Sequence, residues 1–265
     1  MLFEKDLFGV NDKLQKAIES LKIFEPDEGY WVGVSGGKDS DVILELCKMA
    51  GVKFDAHHSL TTIDKPEAIY HIRRDLPEVD IISPLIPLLK KLETKGFPLR
   101  QSRWCCEAYK ENGGNGRRVV TGIRKAESSG RSKRQMFEHC YRGGFKSKQK
   151  TFVHPIIDWS DSDVWEFHTL RGLSHCTLYD SGAKRVGCLF CPMARHSERM
   201  KDLEDYPKYK KLFIRSFEKL YANRRKEGRE SINRWDNGED MFYWWVNEDG
   251  KQENVLQKLL RFEDQ

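Results

Sequence analysis

The stretch Tyr30-Trp31-Val32-Gly33-Val34-Ser35-Gly36-Gly37-Lys38-Asp39-Ser40 decides the fold class of this 265-residue chain. Its first five residues form a short apolar run that leads into glycines, which predicts a buried strand. After the glycines, apolar residues return at helical spacing at Val42, Ile43, Leu46 and Met49, which predicts a helix. A strand, a glycine turn and a helix therefore follow one another directly.

The same alternation of strands and helices extends over the first half of the chain. An amphipathic helix is predicted over residues 11–22, ahead of the stretch. The further predicted strands cover residues 52–59, 79–83 and 118–123, and the further predicted helices cover residues 66–74 and 88–95. Such alternation indicates an α/β fold in which a parallel, twisted sheet is flanked by crossover helices.

The second half of the chain changes in character. Residues 127–150 are basic and contain three glycines, which predicts a loop. A capped helix start is predicted at 159–167, where Ser and Asp precede an apolar pattern. The pattern after Pro192 is helical to about Lys226, and an aromatic tail that packs back on the protein is expected after it.

We therefore expect two consecutive domains. The first, over residues 1–195, is a nucleotide-binding α/β domain that also carries the cysteine pairs described below. The second, over residues 196–265, is a helical extension rich in aromatic residues.

With 38% hydrophobic and 33% charged residues, the chain has the composition of a globular protein and not of a disordered one. No apolar run approaches the roughly 20 residues that span a bilayer, and no export signal is visible at the start. We expect a cytoplasmic protein without a membrane partner. Basic residues are crowded between positions 117 and 150. Such a stretch can bind phosphates or a nucleic acid, and a solvated basic loop is the alternative.

The segment Ser35–Ser40 has the composition of a phosphate-binding turn. Its glycines let the backbone approach a phosphate closely, and the following helix directs free N–H groups and the positive end of its dipole to the same place. Hydroxyl groups and the Lys38 ammonium add donors. The segment is not the common NTPase loop, because Val32 stands where that loop has its first glycine and Asp39 follows the lysine. A capped glycine turn without a ligand is the alternative.

Seven cysteines in a chain expected to be cytoplasmic indicate metal, redox or buried thiols and not disulfides. Two of them are adjacent and two form a C-x-x-C pair: Cys105, Cys106, Cys188 and Cys191. Four thiolates suit zinc or a cubane iron–sulfur cluster, and unrelated buried cysteines are the alternative. Cys47 lies on the apolar face of a predicted helix, which favours simple burial.

These motifs carry a resemblance to known families. The hexapeptide at 35–40 resembles S-G-G-x-D-S, the pyrophosphate loop of the ATP-pyrophosphatase superfamily. The span from Trp31 to Met193 resembles the phosphoadenylylsulfate (PAPS) reductase family in the broad sense. The cysteine pairs resemble the cluster-binding pattern of adenylylsulfate reductases and DNA phosphorothioation proteins. The resemblance implies an adenine nucleotide alpha hydrolase-like fold, and it favours a [4Fe–4S] cluster over zinc at the four cysteines.

The resemblance also implies a site for ATP, or for an adenylyl sulfate nucleotide, together with Mg²⁺. The residues expected to bind the nucleotide are Ser35, Gly36, Gly37, Lys38, Asp39, Ser40, Thr61, Gly122, Arg124 and Arg131. Lys38 and Arg124 are expected to stabilise negative charge during catalysis, and the planar fork of an arginine suits phosphate oxygens. Asp39 is expected to hold Mg²⁺ or only to cap its helix.

One feature departs from the sulfonucleotide reductases, which resemble one another in a C-terminal catalytic cysteine within E-C-G-L-H. The last cysteine of this chain is Cys191. Cys140 or Cys176 would therefore have to act as the nucleophilic thiolate. Sulfate reduction is thus less well supported by the sequence than nucleotide activation.

The sequence favours an enzyme that adenylylates a substrate oxygen with ATP and releases pyrophosphate, after which a sulfur nucleophile displaces AMP. A nucleic acid is the acceptor that the basic stretch suggests, with a cysteine desulfurase as a suitable sulfur donor. One alternative is reduction of an adenylylated sulfate to sulfite, with thioredoxin as electron donor. The other is a non-catalytic subunit that binds a nucleotide and a cluster.

Overall fold

The computed structural model describes residues 1–6, 9–139 and 150–247. These residues form two compact units that interleave along the chain. The sheet unit contains Met1–Leu60, Lys65–Ser83 and Asn112–Val186. The helical unit contains Thr61–Asp64, Pro84–Glu111 and the segment from Gly187 onward. The division into two consecutive domains, residues 1–195 and 196–265, that we expect from the sequence stays a prediction.

A six-stranded sheet organises the sheet unit, in the order β5-β4-β3-β6-β8-β7. Its strands are β3 (Tyr30–Gly33), β4 (Phe54–Ser59), β5 (Val79–Ile82), β6 (Arg118–Val120), β7 (Phe137–His139) and β8 (Thr151–Val153). All neighbours are parallel except β7 and β8. A separate antiparallel pair joins β1 (Phe3–Asp6) and β2 (Gly9–Asp12). The predicted parallel sheet is confirmed.

Four helices belong to the sheet unit: α1 (Lys13–Ile23), α2 (Lys38–Ala50), α3 (Pro66–Asp75) and α5 (Asp161–Arg171). All four were predicted, because each carries apolar residues at helical spacing or a clear cap. Ser160 caps α5 by accepting a hydrogen bond from the Asp163 N–H at 3.1 Å. The core of this unit consists of aliphatic residues of β3 and α2, with Trp159 and Phe167 packed against them.

The prediction of a loop over residues 127–150 is wrong where β7 forms, and β8 also escaped prediction. Each strand has only three residues, too few for a period-two pattern to stand out. The two strands are stabilised by pairing with each other, with Phe137 opposite Val153 and His139 opposite Thr151. Residues 140–149 of the predicted loop lie outside the described residues.

The helical unit contains α4 (Leu88–Lys95), α6 (His196–Asp205), α7 (Pro207–Lys226) and α8 (Gly238–Asn247). The helical run predicted after Pro192 is therefore two helices. They separate at Pro207, which lacks the N–H needed to continue α6 but fits the first turn of α7. The aromatic residues of α8 pack on α7, where Phe213, Phe217, Phe242 and Trp245 form a buried cluster. No helix within the described ranges is long and apolar enough to cross a membrane.

An ion pair ties α1 to the start of α5. Lys13 Nζ lies 2.8 Å from Asp163 Oδ2, and the Asp163 side chain is fully buried. Burial opposes ionisation of this carboxyl, but hydrogen bonds from Lys13 and from the Ser160 N–H hold its pKa well below the ordinary value. Asp163 therefore stays ionised in the folded protein at neutral pH.

Replacing Asp163 by Asn is expected to lower the free energy of unfolding by about 3 kcal/mol at pH 7, because it removes the buried ionic partner of Lys13. The lowered pKa stabilises the folded state fully above the unfolded carboxyl's pKa of about 3.9, and this contribution is lost as the pH falls through the folded value. The difference between wild type and D163N should therefore shrink below pH 4. Urea unfolding at several pH values tests this. The exposed Asp158, changed to Asn, is the control, and an equal loss there would contradict the account.

Candidate functional site

The glycine-rich loop lies at the carboxyl end of β3, next to the carboxyl end of β6. β3 and β6 are parallel neighbours, while β4 and β5 continue the sheet on one side and β8 and β7 on the other. The chain therefore changes direction across the sheet between β3 and β6. In open α/β sheets, ligands bind in the crevice outside the carboxyl ends of the strands at such a point.

The conformation of the glycine-rich loop depends on the Ser40 hydroxyl group and on Gly36. Ser40 donates a hydrogen bond to the Gly37 carbonyl at 2.7 Å, and its oxygen accepts from the N–H groups of Ser35 and Gly37, both at 3.2 Å. Gly36 has φ 70°, which favours glycine, and a Cβ there would lie 3.0 Å from the Ala68 carbonyl oxygen. Only glycine fits this turn without displacing α3.

Four charged side chains form one network above the loop, called the ion network below: Lys38, Asp39, Arg124 and Asp161. Asp39 accepts a hydrogen bond from Arg124 Nε at 2.6 Å and pairs with Lys38 Nζ at 3.2 Å. Asp161 Oδ1 lies 3.0 Å from Lys38 Nζ and 3.1 Å from Arg124 Nη2. The three predicted catalytic residues are thus brought together, and Asp161 joins them.

The two cations of the network are buried, whereas one of its anions faces solvent. The side chains of Lys38 and Arg124 are each 4% exposed, while that of Asp161 is 66% exposed. Partial burial opposes ionisation of Asp161, but the hydrogen bond from Lys38 and the charges of Lys38 and Arg124 hold its pKa below the ordinary value. The Asp161 carboxylate is therefore ionised at neutral pH, and the network pairs two carboxylates with two cations. Asp39 does not cap α2, whose N-cap is Gly37.

Gly122 lets the two loops of the site approach each other. A Cβ at this position would lie 2.8 Å from the Asp39 carbonyl oxygen, closer than real side chains come to backbone atoms. The loop after β6 therefore crosses directly against the first turn of α2. This approach brings Arg124, two residues later, to Asp39.

Tyr179 covers part of the glycine loop and was not predicted as a site residue. Its hydroxyl oxygen accepts a hydrogen bond from the Lys38 N–H at 3.0 Å. It also lies 3.2 Å from the place where a Gly37 Cβ would be. The Lys38 N–H is one of the free donors that a helix N-terminus offers to an anion.

Several basic residues of the stretch 117–150, including the predicted site residue Arg131, contact acidic side chains or a backbone carbonyl. Arg131 pairs with Glu127, Arg134 with Glu138 and Lys125 with Asp158. Arg117 and Arg118 contact Asp55 and the Phe24 carbonyl, respectively. In this structure Arg131 is therefore neutralised locally, and positive charge within the described part of 117–150 is largely compensated. Lys146 and Lys148 lie outside the described residues.

A second candidate site lies within the helical unit, where the four predicted ligand cysteines line one cavity. Cys106 begins a short π-helical turn, Cys106–Lys110, and Cys105 directly precedes it. Both thiols and Lys110 line this cavity. Cys188 pairs in an antiparallel bridge with Asp64. Thr61, predicted as a nucleotide ligand, belongs to this unit, and its hydroxyl oxygen lies 3.5 Å from Cys188 Sγ.

The thiols at this cavity differ in acidity. The hydrogen bond between the adjacent thiols lowers the pKa of Cys106 to about 6 and raises the pKa of Cys105, which keeps the shared proton. Burial raises the pKa of Cys188, although the neighbouring Lys110 ammonium opposes this. Within the described residues no three His, Cys, Asp or Glu side chains are already arranged as metal ligands. Four thiols on one cavity nevertheless form the donor set that a thiolate-bound iron–sulfur cluster needs.

Cys47 and Cys176 belong to the sheet unit and are not among the residues that line this cavity. Cys47 is fully buried on α2, as expected, and burial raises its pKa to about 12. Cys176 is also fully buried in the sheet unit, and burial raises its pKa. A buried thiol with a raised pKa is a poor nucleophile. Cys140 lies outside the described residues.

The sequence contains only weak signals for Asp161, Tyr179 and Lys110, which were not predicted as site residues. Asp161 follows Ser160 at a helix start, and such an acid is ordinarily explained by the helix dipole alone. Tyr179 and Lys110 stand in stretches that match the resembled family, but nothing in their spacing marks a role. Only the fold brings Asp161 and Tyr179 to Lys38.

Comparison with known proteins identifies a family for most of the chain. The phosphoadenosine phosphosulfate reductase domain matches residues 29–194. An uncharacterized protein of Methanocaldococcus jannaschii is 31% identical over 214 residues, which are 74% of this chain and 51% of that protein. The adenosine 5'-phosphosulfate reductase of Oceanobacillus iheyensis is 30% identical over 169 residues, 60% of this chain and 68% of that one. The chain thus spans about half the length of the archaeal relative.

Solved structures resemble the chain at low identity. The phosphate complex of PAPS reductase from Candida auris is 17% identical with a TM-score of 0.49, covering 65% of this chain and 88% of its own. The U34-tRNA thiolase of Methanococcus maripaludis with its [4Fe–4S] cluster is 13% identical with a TM-score of 0.45, covering 82% and 80%.

Changing Gly122 to Ala is expected to weaken pyrophosphate binding at least tenfold and to destabilise the protein by about 1–3 kcal/mol, because the new methyl group meets the α2 backbone. Isothermal titration and thermal unfolding measure the two effects. Gly33→Ala is the matched control, since no atom lies within 4 Å of a Cβ at that position. Equal behaviour of the two variants would contradict the close approach of the loops.

Proposed function

We propose that this chain, which belongs to the phosphoadenosine phosphosulfate reductase domain family, is an ATP-pyrophosphatase-type enzyme that adenylylates a substrate for sulfur transfer. ATP binds at the loop Ser35–Ser40 with its phosphates toward Lys38 and Arg124. A substrate oxygen attacks the α-phosphorus, and pyrophosphate leaves. A sulfur nucleophile then displaces AMP from the activated substrate.

The observation that carries this proposal is the convergence of two buried cations on the N-terminus of α2. Lys38 and Arg124 both lie beside Asp39 in the first turn of that helix. The helix adds free N–H groups and the positive end of its dipole. Fixed positive groups in a water-poor site stabilise the charge that builds up on phosphate oxygens during transfer. A pyrophosphate leaving group suits such a site.

The other members of the site support binding and not bond breaking. Gly36 and Gly122 let the loops of the site pack closely against α3 and α2, and Ser40 holds the glycine loop in shape. Asp39 orients both cations through its two carboxylate oxygens. Asp39 would be the carboxylate that the chain offers to a Mg²⁺ ion bound with the nucleotide, and such an ion would neutralise part of the phosphate charge.

The four cysteines of the helical unit would hold a [4Fe–4S] cluster in this proposal. Their common cavity and the lowered pKa of Cys106 are consistent with thiolate ligation. When bound, such a cluster supplies iron that can hold sulfur or pass electrons. Lys110 would offset part of the negative charge of the thiolates.

A second candidate function is reduction of an adenylylated sulfate to sulfite. The identity to the adenosine 5'-phosphosulfate reductase of Oceanobacillus iheyensis favours it. A cysteine thiolate would attack the sulfur and release AMP, and the thioredoxin dithiol would supply the two electrons that free sulfite. The buried Cys176 is poorly suited to this attack. Thioredoxin-dependent sulfite release that survives both C140S and C176A would exclude a nucleophilic role for either cysteine.

Replacing Lys38 by Gln is expected to weaken ATP binding and to reduce release of AMP and pyrophosphate at least a hundredfold, because it removes a buried donor from the phosphates. Radiolabelled ATP, offered with tRNA or DNA and a sulfide source, measures both products. Lys48→Gln in the last turn of the same helix is the control, since Lys48 is half-exposed and pairs with Glu78. Equal ATP affinity in the two variants would contradict the proposed site.

Anaerobically purified protein is expected to contain iron and acid-labile sulfide, with a broad brown absorbance. C106S and C188S should each lose most of that iron, because each removes one of four ligands. Cys47→Ala, in the sheet unit, should keep it. Stoichiometric zinc without iron in the anaerobic wild type would contradict the cluster.

A further inference from the structure

We infer that Asp161 is an internal counter-ion that competes with the nucleotide phosphates for Lys38 and Arg124. In the nucleotide-free protein its carboxylate takes the place of a phosphate oxygen, and nucleotide binding displaces it. This inference rests on the proposed function only in taking the competing anion to be a phosphate of the nucleotide. Asp161 is therefore a residue that sets phosphate affinity and not a catalytic one.

The first observation is how Asp161 meets the two cations. One oxygen, Oδ1, accepts from both Lys38 Nζ at 3.0 Å and Arg124 Nη2 at 3.1 Å. A single anionic oxygen held between an ammonium and a guanidinium is the contact that a phosphate oxygen would make at the same groups. Both contacts cannot be kept while a phosphate oxygen occupies that position.

The second observation is the difference between the two carboxylates of the ion network. The Asp39 side chain is 22% exposed and interacts through both oxygens, whereas that of Asp161 is 66% exposed and reaches the cations with one. The Asp161 carboxylate is already largely hydrated, so its movement away from the cations changes its own hydration little. A phosphate can therefore displace the Asp161 carboxylate from Lys38 and Arg124, whereas the Asp39 carboxylate keeps its contacts with them.

The third observation is independent of charge. The Tyr179 hydroxyl accepts from the Lys38 N–H at 3.0 Å, which is a second anion-binding donor of the same loop. Asp161 begins α5 and Tyr179 follows that helix, so one segment supplies both oxygens. Two separate donors of the loop are therefore occupied by the protein's own oxygen atoms.

This arrangement has a consequence for turnover. Without Asp161 the buried Lys38 and Arg124 would share only the Asp39 carboxylate and carry a net positive charge. With Asp161 the network is balanced before binding, and each phosphate must compete with a carboxylate already in place. The same carboxylate returns when pyrophosphate leaves and so favours product release.

The test is titration of pyrophosphate, and of ATP without Mg²⁺, into wild type, D161N and D161E. Removing the competing charge is expected to tighten binding in D161N about five- to tenfold at low ionic strength. The gain should shrink in roughly 0.5 M salt, because salt screens partly exposed charges. D161E should bind as the wild type does. Pyrophosphate should also inhibit the AMP-forming activity of D161N at correspondingly lower concentration.

Asp158→Asn is the matched control. Asp158 is 64% exposed and pairs with Lys125 outside the ion network, so the substitution makes the same change in net charge three residues away. It should leave pyrophosphate affinity within about twofold, since exposed pairs contribute little. Circular dichroism and thermal unfolding identify any variant that fails to fold, and D161S then serves in place of D161N.

The outcomes separate this inference from the proposed function. Tighter, salt-sensitive binding in D161N but not D158N supports it. Binding that is unchanged or weaker in D161N, while the wild type binds pyrophosphate, overturns it and leaves the proposed function standing. Equal tightening in D158N would assign the effect to overall charge and would also overturn it. A wild type that binds neither pyrophosphate nor ATP overturns the proposed function and this inference together.

Discussion

Two buried cations at the first turn of α2 constrain the rest of the sheet unit. Lys38 and Arg124 have side chains that are almost fully removed from water, and a buried charge is tolerated only where an opposite charge and hydrogen bonds compensate it. The compensation comes from two parts of the chain: the glycine loop after β3 supplies Asp39, and the start of α5 supplies Asp161. Gly122 is needed because it lets the loop after β6 come close enough to α2 for these charges to meet. The parallel order of β3 and β6 brings both loops to the same edge of the sheet.

The helical unit has a different chemistry, based on thiols and not on phosphate donors. Its aromatic core packs α7 against α8, and the cavity beside that core is lined by two cysteine pairs distant in sequence. The adjacent thiols of Cys105 and Cys106 both line this cavity, at the start of the π-helical turn. The hydrogen bond between them makes Cys106 unusually acidic. Thiolate character is what both metal ligation and sulfur chemistry require.

The sequence predicted most of the fold because its elements are long enough to show a period. The helices of the sheet unit and the strands β3, β4 and β5 carry clear apolar patterns, and the turn between β3 and α2 carries its glycines. β6 is as short as β7 and β8 but was predicted, because its apolar run continues to Gly122. β7 and β8 carry no such run, and their pairing with each other stabilises them. Lys38, Asp39 and Arg124 were found because their motifs are local. Asp161 and Tyr179 escaped because their meeting with Lys38 depends on how α5 lies against α2, and no spacing rule records that contact. Arg131 stays a predicted nucleotide ligand, and in this structure it pairs with Glu127.

The proposed function requires the site around α2 to bind the phosphates of a nucleotide. A crystal structure of the protein with a non-hydrolysable ATP analogue tests this most directly. We predict phosphate oxygens within hydrogen-bond distance of Lys38 Nζ and the Arg124 guanidinium, with the Asp161 carboxylate and the Tyr179 hydroxyl withdrawn from the positions they hold in the free protein. An analogue bound elsewhere, or bound while the Lys38–Asp161 and Arg124–Asp161 contacts persist unchanged, would contradict the account.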